Sequence, residues 1–303
     1  MNELRRACEQ VASRALSVRV QTAAIPAYAA GLQLAPTDAA QAPEPLAGAA
    51  REHQAAFWLT MDAINFGSGW FPTLRKPEGR SGYQTIFAGL ERQWQTRGPW
   101  SASELTVLDA AAVAVVCGQD RDHPLMALFA ASLNDLGRNV AAQPGSSFSA
   151  VVDGADGSAV TLARRLGEWA SFADCSRYQE LELPFLKRAQ IAAADLARAG
   201  VAQFSDLDRL TMFADNLVPH VLRLDGILSF APELVARIDA GELIEHDSPE
   251  EIEIRACALH AVELIVAARP GARAVDIDEL LWNRGADPFY KASPRHRARC
   301  TAY

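Results

Sequence analysis

A chain of 303 residues, half of them hydrophobic and about a fifth charged, is long enough for a substantial core and ordinary in composition for a globular protein. Its formal net charge of −8 argues against a protein that tracks a polyanionic backbone, but leaves room for a small anionic ligand held by two or three basic groups. Five scattered cysteines without a CxxC pair speak against a disulfide framework or a zinc site and for reduced thiols in the cytoplasm.

Alanine is frequent and β-branched runs are scarce, so the expected fold is mainly α, a single globular helical domain over 1–303 with at most a small β element. Residues 1–18 read as an amphipathic helix with Leu4, Cys8, Val11 and Ala15 on one face, not as a signal peptide. The stretch 19–47 reads as a loop. "REHQAAFWLTMDAINF" (51–66) has helical spacing and stops at Gly67 and Gly69. Helical patterns follow at about 83–94, 102–117 and 123–136. The most broken part, 141–160, reads as a loop, and 161–171 as a helix. Leu181 and Leu183 alternate in a short extended piece. A helix follows from near Pro184 to Gly200. "SDLD" (205–208) is a capping box for a helix that would run through "LTMFADNLVPHVLRLDGILSF" (210–230). Ser248, Pro249 and Glu251 start another helix that stops at Pro270, and Asp276 is a plausible cap for the last. The longest apolar run, Ala110 to Cys117, is too short to span a bilayer.

Several of these elements hold residues suited to chemistry. In a continuous helix, Pro219 would leave the carbonyl of Asp215 without its partner and kink the chain there. That places an acid at a crevice, although a surface Asp on an amphipathic helix has the same pattern. Lys187 stands at a helix start, where a cation opposes the macrodipole and an anionic ligand would compensate. Asp62 and Asn65, at i and i+3 among aromatic residues, can face a heterocycle while Phe66, Trp70 or Phe71 stacks on it. His53 precedes that run as a partly exposed histidine. His260 and Glu263 have metal-ligand spacing, but one pair is far short of a metal site. GxSxG, HExxH, Walker and GxGxxG motifs are absent.

Together, "WLTMDAINFGSGWF", "FLKRAQIAAADL", "LTMFADNLVPHVLRLDGILSFAPEL", "EEIEIRACALHAVEL", "IDELLW" and "HRARCTAY" resemble the queuosine-salvage proteins, the queuosine 5'-phosphate N-glycosylases, from about Glu52 to Tyr303. Where that family usually continues its Asp motif as Tyr-Arg-Val-Pro-Gln, this chain has Asn216, Leu217, Val218, Pro219 and His220. Asn283 stands where the family often has an acid.

The resemblance implies a helical build similar to DNA glycosylases. It also implies hydrolysis of queuosine 5'-monophosphate to queuine and ribose 5-phosphate, with no cofactor, no metal, and no nucleic-acid or membrane partner. Cleavage through an oxocarbenium-like transition state needs a fixed carboxylate beside C1'. Asp215 is the candidate, as nucleophile or as stabiliser and water activator, with Lys187 as second catalytic residue. Queuine is a 7-deazaguanine and cannot be protonated at N7, so hydrogen bonds must spread the charge of the leaving base. Candidates for base recognition are His53, Asp62, Asn65 and Asp278, with Phe66, Phe213 or Trp282 stacking and Asn283 nearby. Lys187, Arg297 or Arg299 would meet the phosphate. The rival readings are a non-catalytic protein that sequesters a modified nucleoside or base, an N-ribosyl hydrolase of another nucleotide, and a helical scaffold in which Asp215 is merely exposed.

Overall fold

The structure, a computed structural model, describes residues 1–34, 46 and 48–303. Part of the expected loop 19–47 (35–45 and 47) lies outside the described residues. The fold is mainly α: helices account for most of the described chain, and two small antiparallel sheets of two strands complete it.

The chain begins with α1 (Asn2–Arg14), β1 (Val18–Val20) and α2 (Ile25–Gly31), so the stretch expected as loop from residue 19 holds a strand end and a short helix. Then come α3 (Arg51–Ala63), α4 (Gly82–Arg97), α5 (Ala102–Leu105), α6 (Ala110–Cys117), α7 (Pro124–Ala141), α8 (Phe148–Asp153) and α9 (Ala159–Gly167). The helix expected over 102–117 is two. Asp109 caps α6 by accepting from Ala112 N at 2.8 Å, while Asn134 of α7 donates to the carbonyls of Leu105 and Leu108 in the break. Within 141–160, expected as a loop, α8 forms because the Glu52 carboxylate accepts from Phe148 N and Ser149 N, both at 2.8 Å.

The hairpin β2 (Ser176–Tyr178) with β3 (Leu181–Leu183) is the extended piece read from Leu181 and Leu183. It leads into α10 (Lys187–Arg198). The helix expected from residue 205 does not form there. Asp206 of "SDLD" instead caps α9, accepting from Ala159 N at 2.6 Å and from the Ser158 hydroxyl at 2.7 Å. α11 (Leu217–Leu224) starts only after Asp215 and is followed by β4 (Leu228–Phe230), α12 (Pro232–Asp239), α13 (Pro249–Ala268), α14 (Ala274–Arg284) and α15 (Pro288–Lys291). β4 pairs antiparallel with β1, with Val18 opposite Phe230. α14 takes Arg273 as its N-cap residue, and Asp276 lies in its first turn, paired with Arg273.

α13 organises the core. Ser248 accepts from Glu251 N at 3.3 Å and Pro249 occupies the first helical position, as the sequence indicates. The helix is buried on nearly all sides and packs against α1, α2, α11, α14 and β1. α10 packs on α3 and α9 in the same core.

Candidate active site

The block "KRAQ" at the start of α10 is turned inward, and each of its polar residues fixes backbone from elsewhere in the chain. Lys187 is 6% exposed, and its Nζ donates to the Asn65 carbonyl at 2.9 Å. Arg188 is fully buried between the Phe66 and Phe172 rings and donates to the carbonyls of Ala63 and Ser171. Gln190 accepts from Thr211 N at 2.9 Å and donates to the Thr211 hydroxyl and the Phe185 carbonyl. The α3 C-terminus and the 211 segment are therefore both registered against α10.

The same replacement of helical bonds explains why 210–216 is not a helix. Thr211 N goes to Gln190, Phe213 N to Asp278 Oδ1 at 2.9 Å, and the Ala214 carbonyl accepts from Arg255 Nε at 3.0 Å. Buried side chains from three helices satisfy the backbone groups that an i−4 ladder would have used. Asp215 follows, half-buried. Its Oδ1 accepts from Leu217 N at 2.8 Å and Val218 N at 3.1 Å, which caps α11. Among the described residues Oδ2 has no hydrogen-bond partner. Pro219 is the third residue of α11, inside the first turn, where no N–H is required. The expected kink is thus absent, and Asp215 is an anchored cap.

Lys187, Asp215 and Asp278 feel one another electrostatically. Burial draws the Lys187 ammonium below its usual range, opposed by the charge of Asp215. Burial, and next the charge of Asp215, hold the Asp278 carboxyl well above the carboxylate range. Asp62 on α3 is likewise held high by burial and by Asp195, and its Oδ2 is buried without a partner. Burial also raises Asp195, to about 6, against the pull of Arg198. Asn65 Nδ2 approaches Asp62 Oδ1 at 3.4 Å. Half-buried Tyr83 stands edge-on to Trp282, which is 38% exposed, and the charges of Asp195 and Asp62 act on its hydroxyl. The arrangement combines an anchored carboxylate with a free oxygen, a buried amine, buried acids biased toward the proton-donating form, and an accessible aromatic face.

Residues 46–303 match the queuosine salvage protein family. The chain belongs to that family. Several relatives carry the name queuosine 5'-phosphate N-glycosylase/hydrolase. The Sphaerobacter thermophilus protein is 35% identical over 266 residues, 84% of this chain and 82% of its own. The Bos taurus protein is 30% identical over 245 residues, 74% and 72% of the two chains. The Nematostella vectensis protein is 28% identical over 282 residues, 81% of each.

The span matched to the queuosine salvage family takes in every residue of the cluster and leaves α1 and α2 outside it. Of the positions singled out from sequence, the structure gathers Lys187, Asp215, Asp62, Asn65 and Asp278, with Phe213 bonded to Asp278 through its N–H and Trp282 against Tyr83. It does not gather four others. His53 is exposed beside Trp94, nine residues and about 14 Å along α3 from Asp62. Phe66 is packed into the core against Phe129 and Arg188. Arg299 lies over Trp70. Asn283 is exposed on α14, and its side chain makes no hydrogen bond among the described residues.

Sequence reasoning passed over Asp174, Arg255, Tyr83 and Arg295. The signal for Arg255 was partial: it stands among Ile252, Ile254, Ala256, Cys257 and Ala258, and a cation that such a stretch buries has to be paired. It is fully buried over the Phe185 and Tyr303 rings, with Nη2 at 2.9 and 2.7 Å from the Asp174 carboxylate oxygens. Asp174 Oδ2 also accepts from Lys187 N at 2.9 Å. One buried pair thereby holds the backbone at Lys187 and, through Ala214, the backbone next to Asp215.

Proposed function

We propose that this protein hydrolyses queuosine 5'-monophosphate to queuine and ribose 5-phosphate. The observation that carries the reading is the Asp215 carboxylate, one oxygen fixed by the first turn of α11 and the other free, beside a buried lysine and a buried acid. In the reaction the C1'–N bond breaks and its electron pair goes to the base. Positive charge then builds on the ribose, where a fixed carboxylate is worth most. Water adds to C1' and its proton ends on the base. A 7-deaza base has no N7 to protonate. Asp278 and Asp62, held toward the protonated form, supply the donors that let it leave as a neutral or hydrogen-bonded species. Lys187 steadies Asp215 and the ribose hydroxyls. Trp282 and Tyr83 offer the base an aromatic wall. Asp215 acts in this scheme by stabilising the oxocarbenium ion and orienting water. We place the protein in the cytoplasm, a reading supported by its five free cysteines. No described helix is long and apolar enough to cross a membrane.

The test is release of queuine from queuosine 5'-monophosphate, followed by chromatography, for wild type, Asp215→Asn and Lys187→Ala. Turnover by wild type and a loss of roughly a hundredfold or more in folded Asp215→Asn is the expected result. Tight binding without turnover would instead identify a sequestering protein, and no binding would overturn the reading altogether.

A further inference from the structure

The segment "SPRHRARC" (293–300) has no regular secondary structure, yet its burial alternates. His296, Ala298 and Cys300 are buried, while Arg295, Arg297 and Arg299 turn the other way, as in an extended chain. The segment is stitched to the site. Arg223 of α11 donates to the Pro294 carbonyl at 3.2 Å, and Asn216, the neighbour of Asp215, donates to the His296 carbonyl at 3.0 Å. Arg295 is thus clamped between two tethered residues at the edge of the Asp215 turn.

The three arginines differ in what they already hold. Arg299 lies over Trp70. Arg295 and Arg297 enter no ion pair and donate no side-chain hydrogen bond among the described residues, and Arg295 Nε is buried without an acceptor. Burial disfavours the charge on Arg295, that of Asp215 acts on it favourably and that of Arg297 unfavourably, so the Arg295 guanidinium lies within reach of one carboxylate and one further guanidinium. A buried guanidinium N–H without an acceptor is destabilising, and a ligand oxygen would relieve it. Lys187, the other nearby cation, is engaged by Asn65.

We infer that Arg295, supported by Arg297, receives the 5'-phosphate of the substrate and sets the preference for nucleotide over nucleoside. This rests on the hydrolase reading. A guanidinium matches phosphate with paired, charge-assisted hydrogen bonds, which lysine does not reproduce.

Two readouts test it on Arg295→Gln, Arg295→Lys and Arg297→Gln: kcat/KM for queuosine 5'-monophosphate and for queuosine, and calorimetric binding of ribose 5-phosphate. The expected result is a roughly 10- to 100-fold loss on the monophosphate for Arg295→Gln, a smaller loss on the nucleoside, and matching weakening of ribose 5-phosphate. Arg295→Lys recovers only part. Equal losses on both substrates would show that Arg295 acts on Asp215 and overturn the assignment, as would unchanged ribose 5-phosphate binding. If wild type turns over neither substrate, the hydrolase reading fails. The ribose 5-phosphate arm then still decides whether Arg295 binds a sugar phosphate.

Discussion

Arg255 and Asp174 touch no solvent, yet between them they fix both Lys187 and the residue before Asp215. A buried ion pair of this kind is weak evidence for net stability, since desolvating two charges offsets most of their attraction. Removing one partner is a different matter: Asp174 would lose its ion-pair partner, and Arg255 would keep only the more distant Glu251 carboxylate, 3.7 Å from its Nη1. Arg255→Met and Asp174→Asn should each lower the free energy of unfolding by about 3–5 kcal/mol. Combining Arg255→Met with Asp174→Leu should lose clearly less than the sum of the corresponding single variants. Urea titrations of the singles and doubles supply the cycle. Additive losses would mean that the two side chains do not act as one unit. The double variant should remain less active than wild type even where folded, since Ala214 O and Lys187 N lose their partners.

At the level of elements, α11 and the segment before it give the sharpest contrast between expectation and structure. A proline four residues after an acid suggests a kink if the helix is continuous, but here it sits in a first turn already capped by that acid. Pro219→Ala should therefore change the unfolding free energy by less than about 1 kcal/mol. A proline within the body of a helix would instead make that replacement stabilising by about 3 kcal/mol. Thermal or urea unfolding of the one variant separates the two. The helices of locally periodic sequence, such as α3, α7 and α13, were legible because their apolar spacing is local, as is the Ser248 cap of α13. So was the extended piece at Leu181 and Leu183, though not the strand Ser176–Tyr178 that pairs with it. What was not legible depends on partners distant in sequence. Gln190, Asp278 and Arg255 unwind 210–216, and Asp206 caps a helix some fifty residues earlier. β1 and β4 meet across two hundred residues. For the site, Asp215, Lys187, Asp62, Asn65 and Asp278 could be named from motif resemblance. The clamp around them could not, because nothing in local spacing says that Asp174 faces Arg255 or that Arg295 faces Asp215.

Across the whole molecule, two sets of buried groups pull stability in opposite directions with pH. His220 and His296 are held neutral by burial, at about 4 and about 3, and unfolding would return them to about 6.5. The stability they contribute is complete above 6.5 and is lost as pH falls below it, because the unfolded chain binds protons that the folded one refuses. Asp278 has the opposite sign. Its carboxyl is raised above the unfolded value of 3.8, so its contribution is complete below 3.8 and is lost as pH rises toward its folded value. The wild-type curve sums these terms with those of Asp62 and Asp195, so single variants are the cleaner test. Asp278→Asn keeps an oxygen for Phe213 N and cannot ionise. Relative to wild type it should gain stability by about 1.4 kcal/mol for each pH unit above 4 until the folded carboxyl ionises, while losing most of its turnover. His296→Gln should show the mirror image, a relative gain that grows below pH 6.5 and reaches about 2 kcal/mol at pH 5. Urea unfolding of the two variants and wild type from pH 4 to pH 8 measures both slopes. A flat difference for Asp278→Asn would mean that the acid stays ionised beside Asp215. The proton it is assigned to present to the leaving base would then not be there at neutral pH.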